Sequence, residues 1–121
     1  MKQATLIVSL DFELFWGMQD SHKLSEYEDH VLGGRKAVPR LLELFQKHGI
    51  HATWATVGFQ FAEDEQSLRK HFPSSKPTYD HAELSSYRCF GQIGKNETEA
   101  PCFYAPSLIR QIADTPNQEI G

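Results

Sequence analysis

Residues 4–10, ATLIVSL, form a nearly continuous apolar run with β-branched side chains, whereas Val38, Leu41, Leu42 and Phe45 recur at the spacing of one helical face. The first pattern predicts a strand covered on both faces, and so a central strand of a parallel sheet. The second predicts a helix that follows a polar stretch over 19–30 and Gly33-Gly34, tolerates Pro39 in its first turn, and stops near His48. Gly49 suits a left-handed C-terminal cap, and residues 50–57, IHATWATV, then read as a second strand.

Further along, residues 62–71 predict a second helix, with Glu63, Asp64 and Glu65 suited to the positively polarised first turn and Pro73 and Pro77 closing it off. Residues 74–105 hold turn formers, scattered aromatics and both cysteines without a clean period. They predict a long excursion between core elements, of the kind that often covers a site. Pro106 opens a short helix carrying Leu108, Ile109 and Ile112, Thr115-Pro116 ends it, and residues 118–121 start a third strand. The order strand, helix, strand makes the class α/β, and the chain shows neither internal repeats nor low-complexity segments.

With 121 residues and 40% hydrophobic content, the chain is long enough for one domain, or part of one. It is too short for a complete eight-stranded barrel, which needs about 250 residues. A net charge of −4 with scattered Lys and Arg gives no footprint for nucleic acid or an anionic membrane, and neither partner is expected. No stretch reaches the roughly 18 apolar residues of a membrane span, and residues 1–10 lack the pattern of a secretory signal, so a cytoplasmic location is expected. Cys89 and Cys102 are then expected to be reduced thiols, and the Asn96-Glu97-Thr98 sequon a chance match.

The candidate chemistry lies in SLDFELFWG, residues 9–17, where Asp11 and Glu13 stand two positions apart among Phe12, Phe15 and Trp16. On an extended strand both would point the same way, roughly 7 Å apart, just past the end of the first apolar run. In α/β folds ligands bind at the carboxyl ends of parallel strands. Asp11 could instead cap a turn or pair with a cation while Glu13 is solvated. The aromatic setting argues against that, because uncompensated carboxylates there are expensive unless a cation or a mobile proton is involved. With a metal held by one acid, the other can act as general base toward water, as hydrolysis of an amide or ester requires.

Three blocks in order, SLDFELFWG, AVPRLLELFQKHGIHATWATVGFQF and QEIG, resemble the first part of the polysaccharide deacetylase family, also called the NodB-homology domain. The resemblance covers most of the chain except 74–105. The first block departs from the commoner Thr-Phe-Asp-Asp-Gly form toward an Asp-x-Glu variant. The resemblance implies a distorted (β/α) barrel of which these residues are the N-terminal part, with parallel strands and intervening helices. It implies a divalent metal, zinc foremost, held by a carboxylate and two histidines, and removal of acyl groups from N-acetylated sugars or related amides. Asp11 falls where the family keeps its catalytic base, and Glu13 where the variants put a metal-binding carboxylate.

Family members take their metal histidines from a His-x-x-x-His motif directly after the Glu-Ile-Gly strand, and here the chain ends at Gly121. The expectation is a partial domain over 1–121, inactive alone and a weak zinc binder, that self-associates through open strand edges. His22, His30, His48, His51, His71 and His81 form no His-x-x-x-His pair, and none is expected at a strand end beside Asp11. Trp16 reads as core or, being next to the acids, as a wall of the substrate pocket. Two rival readings stay open: an allantoinase-like hydrolase of small amides, and a catalytically silent α/β module that binds a carbohydrate or a protein.

Overall fold

The computed structural model describes residues 4–121. Strands β1 (Ser9–Phe12), β2 (Ala52–Thr56) and β3 (Gln118–Ile120) form an open parallel sheet in the order β1-β2-β3, with Ser9 opposite Thr53 and Ala52 opposite Gln118. Helix α1 (Leu24–His48) joins the first two strands; α2 (Glu65–Lys70) and α3 (Pro106–Asp114) lie between the second and third.

The apolar run at the start behaves differently from its pattern. Only Ser9–Phe12 pairs as a strand, and Leu6 and Ile7 are 88% and 82% exposed. β2 begins at Ala52, which pairs onward to β3, so residues 4–7 have no strand beside them to complete a ladder. Nor is β1 central: β2 occupies the middle of the sheet and β1 an edge.

Helix α1 also begins well before Gly33, at Leu24. Leu24, Tyr27, Val31 and Leu32 lie against the cluster of Phe15 and Trp16, an apolar face that the acids and His30 between them disguise in the sequence. Gly33 and Gly34 are therefore inside the helix. Pro39 is internal too, rather than in a first turn, so the Arg35 carbonyl loses its usual donor four residues on. Gly49 ends the helix as expected, in the left-handed region at φ 63°, its amide donating to Gln46 and Phe45 carbonyls. Helix α2 is shorter than 62–71. It starts after Asp64, whose carboxylate accepts from the Ser67 amide while the Ser67 hydroxyl accepts from the Asp64 amide.

Leu10, Phe12, Ala52, Trp54 and Ile120 turn toward the helices, where Phe12 and Trp54 pack with Val38 and Leu42 of α1 and Ile109 and Ile112 of α3. Both long helices thus lie on one face. The other face carries Ser9, Asp11, Ala55 and Glu119, all exposed.

The 74–105 excursion is more than a cover. Ile93, Ala100, Cys102, Phe103 and Tyr104 are buried in a second core with Phe15, Trp16, Val31 and Leu68. Arg35 of α1 anchors it, donating to the Pro101 and Tyr104 carbonyls at 3.1 and 2.8 Å and pairing with Glu97. Gln60, fully buried, knits three segments together: its side-chain amide donates to the Phe12 carbonyl at 2.9 Å, and its backbone carbonyl accepts from the Ala105 amide at 3.0 Å.

Candidate functional site

Parallel pairing places the carboxyl ends of β1 and β2 side by side, with Asp11 opposite Ala55 and Phe12 opposite Thr56. The Thr56 amide donates to the Gly121 carbonyl at 2.9 Å, which brings the end of β3 to the same rim. Asp11 is exposed at this rim, on the face that no helix covers. Among the described residues its carboxylate has no hydrogen-bond or ion-pair partner, and it is therefore free to meet a ligand or a cation.

Glu13 does not follow Asp11 by strand alternation. The strand ends at Phe12, and Glu13 takes φ −117° and ψ −20° to start a 3₁₀ turn over Leu14–Gly17, so the period-2 argument stops one residue short. Its backbone carbonyl accepts from the Trp16 amide at 3.1 Å, and its half-buried side chain folds back over Gly17. Leu14 follows at φ 50°, a left-handed conformation that turns the chain sharply out of the strand. The Phe15 amide donates to the Cys102 carbonyl at 3.0 Å and holds that turn against the second core.

A cavity of about 310 Å³ runs between β1 and α1, and both Asp11 and Glu13 border it together with Tyr27 and His30. His30 arrives from a helix, not a strand end. Its ring stacks on Tyr27 at 4.7 Å and 13°, and Tyr27 also packs against the His22 ring at 4.5 Å. His30 borders the cavity from the first turns of α1, which begins fourteen residues before Val38, where the helical period becomes visible in sequence.

Trp16 sits elsewhere. It is 5% exposed, packs on Phe59, Phe90 and Phe103, and donates its indole N–H to the Phe103 carbonyl at 2.8 Å. Here it packs the second core and takes no part in the cavity that the two acids border.

Asp11 and Glu13 are oxygen donors at a strand end, but among the described residues no group of at least three His, Cys, Asp or Glu side chains could hold a metal ion. Zinc takes about four ligands, so these acids supply two at most. Both cysteines are free thiols, Cys102 buried and Cys89 bonded to the Gln19 side chain at 2.6 Å; burial pushes both thiols up, away from the reactive thiolate. Among the described residues no helix is long and apolar enough to cross a membrane. No protein-family model, curated protein or solved structure matches the chain.

Proposed function

We propose that these residues form part of a metal-dependent hydrolase of carbon–nitrogen bonds other than peptide bonds, of the polysaccharide deacetylase type, acting on an N-acetylated sugar. One observation carries the reading: Asp11 stands free at the carboxyl end of a parallel strand, on the sheet face that the helices leave open. Strands in sequential order with the helices on one face support the winding of a (β/α) barrel, whose interior would be the opposite face, over a doubly wound sheet, which reverses its order and carries helices on both faces. The distorted barrel of the NodB-homology type is the fold we propose for the longer domain.

In this reading Asp11 takes the proton of the attacking water and Glu13 helps hold the metal, zinc foremost, with further ligands from outside these 121 residues. When bound, the ion would supply Lewis-acid polarisation of the acyl carbonyl. The open sheet face on which Asp11 stands gives the substrate its approach. A cytoplasmic location accords with the free thiols.

The test uses the longest natural chain that contains these residues. Asp11→Asn should keep fold and metal but lose on the order of 10²–10⁴ in rate on an N-acetylated sugar. Glu13→Gln should weaken metal affinity, with part of the activity recovered at high metal concentration. Loss of the metal in Asp11→Asn, with metal and rate intact in Glu13→Gln, would make Asp11 the ligand and Glu13 a bystander. Turnover of small cyclic amides in preference to sugars would favour the allantoinase-like alternative, and metal-independent carbohydrate binding without turnover the silent module.

A further inference from the structure

Phe72 follows α2, and Tyr87 lies in a 3₁₀ turn over Ser86–Cys89 in the irregular excursion. Their rings stand at right angles with centroids 5.2 Å apart. The Lys76 ammonium lies over both, 4.9 Å from the Phe72 centroid and 4.8 Å from that of Tyr87. Among the described residues Lys76 has no carboxylate partner, so the two rings are the counterpart of its charge. The walls and the occupant are held differently. Phe72 packs on Phe90 at 4.5 Å and on Phe59 at 6.2 Å, and Tyr87 packs on the same two rings at 5.8 Å each. Phe59 and Phe90 in turn lie against the second core, which fixes both walls without help from Lys76. Lys76 itself belongs to residues 73–84, all of them exposed. A cation–π contact at an exposed site contributes no more than the rotamer freedom that a lysine gives up in making it, so the ammonium is weakly held.

We propose that Phe72 and Tyr87 are two walls of a binding site for a methylated ammonium group, with Lys76 as its tethered occupant and competitor. A primary ammonium is a compact, strongly hydrated charge and gives up much of that hydration against a ring. A quaternary ammonium is weakly hydrated and meets the ring faces with methyl groups, so the same attraction leaves a larger net gain. Such a ligand displaces Lys76 into water, where the lysine regains its freedom, and finds rings that are already in place. Neither ring borders the cavity beside Asp11 and Glu13, and the site does not depend on the hydrolytic reading.

The experiment titrates the full chain with tetramethylammonium chloride and follows the ring-proton NMR signals of Phe72 and Tyr87, with neopentyl alcohol as an uncharged ligand of similar size and thermal melts alongside. Lys76→Ala should bind the cation several-fold more tightly than the wild type, because the tethered competitor is gone, and should melt at the wild-type temperature. The alcohol should bind several-fold more weakly than the cation to the same variant, since it lacks the charge that the rings attract. Equal cation affinity in the wild type and Lys76→Ala, equal binding of the alcohol, or no saturable shift of the two rings in Lys76→Ala would each overturn the site. A lowered melting temperature in Lys76→Ala without a gain in affinity would overturn it too, and make Lys76 a structural clamp on the excursion.

Discussion

Arg35 and Glu97, 62 positions apart, meet with Nη2 2.5 Å from Oε1, and their side chains are only 16% and 20% exposed. The same carboxylate accepts from the Ser107 hydroxyl at 2.5 Å and from the Ser107 amide at 3.1 Å, at the start of α3. One ion pair therefore fastens the long helix, the irregular excursion and the short helix together.

This pair should govern acid sensitivity. Burial pushes the Glu97 carboxyl up, but the bonds from Ser107 and Arg35 outweigh it and hold the carboxyl below the ordinary glutamate value. A folded value below the unfolded one gives stability that is complete above the unfolded value, about 4.3, and is lost as pH falls through the folded value. Glu97→Gln should lower stability at neutral pH by about 2 kcal/mol, and its denaturant midpoints should fall less than the wild type's below about pH 4.

Gly49 should be hard to replace. At φ 63° an added Cβ meets backbone strain whatever the space around it, so Gly49→Ala should lose about 1 kcal/mol in urea unfolding. Asn tolerates the left-handed region better, and Gly49→Asn should lose less.

Trp16 tests its own placement. As a buried ring with a satisfied N–H, its replacement by Ala should lose about 3–5 kcal/mol, and Trp16→Phe, which leaves the Phe103 carbonyl without its donor, about 1–3 kcal/mol. Calorimetric melts check this. A Trp16→Phe variant of wild-type stability with weakened sugar binding would instead make the ring a substrate wall.

The exposed start of the chain should drive association. β1 has a strand on one side, and Leu6 and Ile7 extend beyond it in water. The chain should sediment as oligomers, and Leu6→Lys with Ile7→Lys should shift it toward monomer, since lysine blocks edge pairing. A wild-type monomer at all concentrations would contradict this.

Sequence pattern located β2, α3 and β3 and the cap at Gly49, because each pairs an apolar period with a strong local stop. It misplaced the start of α1, where Glu26, Glu28, Asp29 and His30 are exposed and the apolar stripe is Leu24, Tyr27, Val31 and Leu32. It overextended β1, because apolar β-branched residues predict a strand whether or not a neighbour exists to pair with. Of the candidate site, the carboxyl end of β1 and the two acids were legible. The turn at Glu13 was not, since it depends on where the second core places the chain rather than on local preference.

The Gln60 junction also has a consequence in time. Its bond to Phe12 spans 48 positions, so it forms only after long stretches of chain have been drawn together, late compared with the local turns of α1. The Ala105 amide, held by the Gln60 carbonyl at a residue with no exposed surface, should give up its hydrogen to solvent only when the whole molecule opens. The amides around the exposed 3₁₀ turn Ala82–Leu84 should exchange far sooner, through openings that leave both cores intact.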